Sequence, residues 1–254
     1  MQERKCSDTE ESIYNGEKIF ESVREILIDS VDEKYKEFNG SLVPGEENRM
    51  LGVRMPVIRE IAKKIAKGNW KQYLQEVINA EQTNEAYHEE LLLHGIVIGY
   101  LKCSTEERKN LLDAFVPVIN NWAVCDSSCM TYKFMKKDAK EWYSYIEKYI
   151  ESKKEYEIRF GVVCLLDHFV TESYIDRILE KMDEIRHEGY YVKMAVAWAV
   201  SVCFVKDPEK TKTFLANNHM DDFTQNKSIQ KIRESLRVSK EDKKWVNTLK
   251  RYRS

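Results

Sequence analysis

Apolar residues recur along most of this chain at intervals of three and four, the spacing that keeps one face of an α-helix covered. The pattern predicts a first helix over 17–38, with Ile19, Phe20, Val23, Ile26, Leu27, Val31 and Tyr35 on one face. Asn39-Gly40-Ser41 and Pro44-Gly45 predict a loop after it. Gly52 to Arg59 reads as a short connector feeding a helix, with Pro56 in the first turn, where its missing N–H is not needed. Gly68-Asn69 ends that helix, and another is predicted over 70–78. The stretch 85–100 is strongly apolar, which predicts a buried helix. Ser104 with Glu106 and Glu107 behind it is an N-cap arrangement for a helix reaching about Phe115. The apolar run continues helix-like over 111–119 despite Pro117. A helix carrying Trp122 follows, then helices over 139–150, 156–168, 173–186 and 190–204. Asp207-Pro208 caps the next one, and helices over 223–236 and 240–249 close the chain.

These segments amount to roughly a dozen helices of about 10–18 residues with short connections, hence antiparallel pairs. The pair period of about 37–40 residues is near that of HEAT-type repeats. The expected architecture is therefore all-α, a HEAT-like helical-repeat solenoid. It forms one domain over 16–254, after a flexible N-terminal segment over 1–15.

Composition agrees. Four prolines and nine glycines in 254 residues leave few places to punctuate many short strands. The polar, acidic start is no signal peptide, and nowhere do eighteen apolar residues run together. A soluble, cytoplasmic monomer with no membrane partner is expected. Six cysteines in such a chain read as reduced core residues. Cys125 and Cys129 stand at metal-ligand spacing, but no second Cys/His pair matches them, so neither a metal nor another cofactor is expected.

The net charge of −2 conceals segregation. Residues 1–48 hold thirteen acids against six bases, 49–71 seven bases against one acid, and 227–253 ten bases against three acids. Two basic segments suit a polyanionic partner. They put forward Arg54, Arg59 and Lys63 in the first, and Lys231, Arg233 and Arg237 in the second.

The stretch Asn120 to Cys129 is the most telling. As a helix it stacks Trp122 and Asp126 four residues apart on one face. A large aromatic beside a carboxylate is an odd choice for packing alone. Arg159 follows Trp122 by 37 residues, and Trp198 follows Arg159 by 39. In stacked repeats, residues one period apart recur on the same surface. Trp122, Asp126, Arg159 and Trp198 are thus expected on one wall. Taken singly, each has a structural reading: a core tryptophan, a capping aspartate, an arginine paired with Glu157 or Asp167.

Four motifs in order, G-V-R-M-P-V-I-R at Gly52 to Arg59, N-W-x-x-x-D at Asn121 to Asp126, R-F-G at Arg159 to Gly161 and A-V-A-W at Ala195 to Trp198, resemble the AlkD branch of the bacterial DNA alkylation repair glycosylases. The likeness covers nearly the whole chain from about Ile19. It implies a HEAT-like fold with a concave DNA-binding face, and an active surface of two tryptophans, one aspartate and one arginine. Those fall on Trp122, Trp198, Asp126 and Arg159. It also implies a double-stranded DNA partner carrying alkylated bases, and hydrolytic release of N3-methyladenine and N7-methylguanine in base excision repair. Asp126 would stabilise the developing sugar cation, the tryptophans would pack on sugar and lesion, and Arg159 would hold a phosphate. Ala123 stands where many relatives have a second acid. A non-catalytic DNA-binding or damage-sensing protein, and a helical protein–protein scaffold, are the competing expectations.

Overall fold

The computed structural model describes residues 12–43, 45–46 and 48–251. Most of the expected flexible N-terminal segment, residues 1–11, lies outside them. Within it, residues 12–15 make one helical turn, Tyr14 is buried, and its carbonyl accepts the Asn69 N–H at 2.7 Å. The fold is all-α, with no strand among the described residues beyond one isolated bridge between Val31 and Val53. Nor is any described helix long and apolar enough to cross a membrane.

Contacts gather the chain into two compact units, 1–132 and 133–254. The first unit holds α1 (Ile19–Asp29), α2 (Glu33–Gly40), α3 (Met55–Ile65), α4 (Trp70–Gln82), α5 (His88–Tyr100), α6 (Thr105–Phe115) and α7 (Trp122–Cys129). Alternate helices α3, α5 and α7 pack side by side, while α4 and α6 each pack on α5 and α4 also on α1. The middle helix, α5, is buried from His88 to Ile98, as a helix apolar nearly all round must be. Gly95 and Gly99, one turn apart on it, let α7 approach closely. A Cβ at Gly95 would lie 2.0 Å from Ser128 Oγ, and one at Gly99 2.0 Å from Thr131 Oγ1.

The second unit holds α8 (Ala139–Ile150), α9 (Glu155–His168), α10 (Ile175–Glu184), α11 (Tyr190–Lys206), α12 (Pro208–Asn217), α13 (Asp222–Glu234) and α14 (Lys240–Asn247). Here α9, α11 and α13 form the row, with α8 on α9, α10 and α12 on α11, and α14 on α13. Each unit therefore repeats one arrangement, an inner row of every second helix backed by the helices between.

Two expectations need correcting. The helix predicted over 17–38 is two helices. The Asp32 side chain accepts the Tyr35 N–H at 3.0 Å and starts α2 afresh, while the Asp32 N–H turns to the Gly52 carbonyl at 3.1 Å. The run over 111–119 is not one helix either: α6 ends at Phe115, and Pro117 sits in a 3₁₀ turn, Val116–Val118.

Candidate functional site

Asn121 starts α7. Its backbone is extended, and its side-chain oxygen accepts the Val124 N–H at 3.0 Å. With that register fixed, Val124, Cys125, Ser128 and Cys129 are buried. Trp122, Ala123, Asp126 and Ser127 are left half-buried on the other side. Asp126 lies one turn after Trp122, and Met130, 51% exposed, lies one turn further. Both ends of this stripe are held by other segments. The Trp122 indole N–H donates to the Leu42 carbonyl at 3.0 Å. At the far end an Arg59 guanidinium N–H points at the Met130 sulfur at 3.4 Å. A carboxylate thus sits between a fixed indole and a thioether flanked by a guanidinium.

Lys63, one turn after Arg59 on α3, is exposed with its ammonium 5.8 Å above the Tyr100 ring. Arg54, the N-cap residue of α3, donates to Asp32 at 2.8 Å and lies 5.2 Å over the Tyr35 ring. The Tyr35 N–H and then this guanidinium hold the Asp32 carboxyl below its ordinary pKa.

In the second unit, Arg159 on α9 is buried, 6% exposed, and donates to the Tyr191 carbonyl at 2.8 Å. Tyr191 is in the first turn of α11, its N–H held by Glu155 at 2.7 Å and its ring stacked on Tyr156 at 5.5 Å. Trp198 follows Tyr191 by two turns, on the same face of α11, and is half-buried. Arg159 and Trp198 therefore lie on adjacent packed helices. Trp122 and Asp126 share the α7 face of the first unit.

The C-terminal bases divide. Arg233 lines a cavity of about 420 Å³ with Lys243 and Lys244. Arg237 lines another, of about 450 Å³, with Lys136 and Lys206. Arg233 and Arg237 are exposed, and Lys231 is half-buried.

A buried polar cluster that apolar spacing does not reveal lies behind the Trp122 end of α7. Glu46, 4% exposed, accepts from Asn120 at 2.7 Å and from Arg49 at 2.9 Å, both on Oε1. Asn120 in turn accepts from the Asn121 amide at 2.8 Å. His88 N–H donates to the Arg49 carbonyl at 3.0 Å, and Glu89 accepts the N–H groups of Leu51, Gly52 and Val53 at 2.9, 2.7 and 3.2 Å. A signal was present: His88-Glu89-Glu90 opens a largely apolar helix with three polar residues, all of them buried.

An all-helical protein with stacked alternate helices, a tryptophan–carboxylate stripe and strong basic segments is of a class suited to gripping a polyanion. The family model for the DNA alkylation repair enzymes matches residues 23–232, and the chain belongs to that family. Its work accordingly lies in the repair of alkylated DNA. No curated protein matches the chain.

Proposed function

We propose that the protein is a monofunctional DNA glycosylase that excises cationic alkylated purines, N3-methyladenine and N7-methylguanine, from duplex DNA. The carrying observation is the half-buried Asp126 one turn from Trp122 on a face that the Leu42 carbonyl and Arg59 bracket. An N3- or N7-alkylated purine already bears positive charge, so its bond to C1′ breaks with the electron pair going to the base, which leaves neutral. The positive charge passes to the deoxyribose. One carboxylate beside that sugar stabilises it and orients the water whose oxygen adds to C1′. The water's proton passes to the carboxylate or to solvent, and an abasic site remains.

Trp122 supplies a rigid π-face for the sugar or the cationic lesion, worth about 0.5–2 kcal/mol. Trp198 gives the second unit a half-buried face of the same kind. Arg159, held by the Tyr191 carbonyl, acts as a fixed cation beneath the α11 turn, attracting a backbone phosphate. Half-buried Arg59, exposed Lys63 and the C-terminal bases add phosphate contacts that set register, not base choice.

Asp126→Asn tests the mechanism. The variant should keep its fold and duplex affinity while free N7-methylguanine release falls about 10²-fold or more, the scale of losing one preorganised electrostatic group. Near-full release by the variant would remove Asp126 from the chemistry. Duplex binding with no release by the wild-type protein would favour a damage sensor over an enzyme.

A further inference from the structure

The Trp122 ring is not oriented by α7 alone. Its indole N–H leaves the helix for Leu42, eighty residues away in the turn between α2 and α3. Leu42 itself is 45% exposed, and the turn is anchored from within by its buried neighbour Val43. A second anchor lies four residues on from Leu42, where the Glu46 N–H donates to the Val43 carbonyl at 3.4 Å. Glu46 joins the turn to the segment just before α7 by accepting the Asn120 amide, and its backbone carbonyl accepts the N–H groups of Arg49 and Met50 at 3.0 and 2.9 Å. The Asn120 side chain passes the connection to Asn121, the residue that starts α7. A closed circuit results: turn, Glu46, Asn120, Asn121, Trp122, and back to the turn through Leu42.

Packing alone gives no good reason for so polar a side chain there, although Arg49 pairs with it at 2.9 Å. Glu46 is almost wholly buried, and only Oε1 is hydrogen-bonded. Oε2 lies 3.9 Å from the His88 ring and has no hydrogen-bond partner among the described residues. Burying a polar side chain with one oxygen unused is costly, and such departures from local rules concentrate where function requires them. We propose that Glu46 is a positioning residue for Trp122: by clamping Asn120 and Arg49 it holds the turn whose Leu42 carbonyl sets the indole. This deepens the glycosylase reading, and its activity arm rests on that reading; its spectroscopic arm does not.

The test uses the full chain labelled with 5-fluorotryptophan, whose five tryptophans give fluorine resonances, that of Trp122 assigned by its disappearance in Trp122→Phe. In Glu46→Ala the Trp122 resonance should shift or broaden while the other four stay in place. Excision kcat should fall about tenfold with KM little changed. Glu46→Gln keeps an oxygen for both donors and should restore both readouts. Asn120→Ala, at an exposed position, breaks the same link from the other side and serves if Glu46→Ala does not fold. An unmoved Trp122 resonance in either folded variant overturns the proposal. So does a moved resonance with wild-type excision. A moved resonance in a protein whose wild type releases no base upholds the Glu46 assignment and sinks the glycosylase reading instead.

Discussion

His94 lies wholly inside the first unit with its ring centroid 4.9 Å from that of Phe115, and burial pushes its pKa from 6.5 down to about 4. His88 is lowered to about 4 as well, by burial first and then by Arg49. In both, the unfolded chain takes up a proton near 6.5 and the folded chain does not until about 4. Their contribution is therefore full above 6.5 and lost as pH falls to 4. Glu81 runs the other way. Burial raises it from 4.5 to about 7, so its contribution is present below 4.5 and lost as pH rises to 7. Burial raises the Glu89 carboxyl too, so the two imidazoles contribute a drop in unfolding free energy between pH 6.5 and 4 that these two carboxyls oppose. In His94→Gln, urea titrations across that range should give a clearly shallower drop; an unchanged slope would refute the assignment. At this scale the shared helix face of Trp122 and Asp126 was legible, because a helix of known register needs no distant partner to place them. The buried state of Arg159 was not, since the Tyr191 carbonyl that receives it is thirty-two residues away.

At the scale of the element, α7 carries the candidate chemistry, and α5 decides where α7 sits. The approach is close enough that a Cβ on Gly95 would meet Ser128 Oγ at 2.0 Å and Phe115 Cζ at 2.3 Å. Gly95→Ala should therefore destabilise the protein by about 1–3 kcal/mol through overpacking, despite alanine's better helix propensity. It should also lower excision, because α7 must shift. A variant as stable as wild type in urea would mean that the two helices have room to part. Most helices were legible from apolar spacing and caps: Ser104 accepts the Glu107 N–H at 3.1 Å, and Asp207 the Lys210 N–H at 3.1 Å, as those caps predict. The break at Asp32 was not legible, because Val31 and Tyr35 continue the helical spacing straight through it. What ends α1 is non-local: Val31 bridges to Val53, and the Asp32 N–H leaves for Gly52. Gly52 itself has φ +93°, with its N–H held by Glu89, a conformation no single-segment pattern reveals.

At the scale of the molecule, the governing feature is segregated charge within a net of only −2. Part of the first basic segment is engaged by the protein's own acids: Arg49 by Glu46, Arg54 by Asp32 and Lys71 by Glu107. The second segment keeps Arg233 and Arg237 exposed at separate cavities, each shared with two lysines. Reversing Lys231, Arg233 and Arg237 together should weaken duplex binding. It should also flatten the plot of log affinity against log salt by about 2–3, near 0.9 for each phosphate no longer neutralised. An unchanged slope would show that these bases do not touch DNA.

In the proposed mechanism Asp126 stabilises a sugar cation while no group protonates the departing base. Only lesions that are already good leaving groups should then be released. The direct measurement is a paired excision assay on otherwise identical duplexes, one carrying N7-methylguanine and the other hypoxanthine, a neutral lesion. Free N7-methylguanine and no free hypoxanthine are expected. Comparable release of both would reveal a general acid and overturn this mechanism.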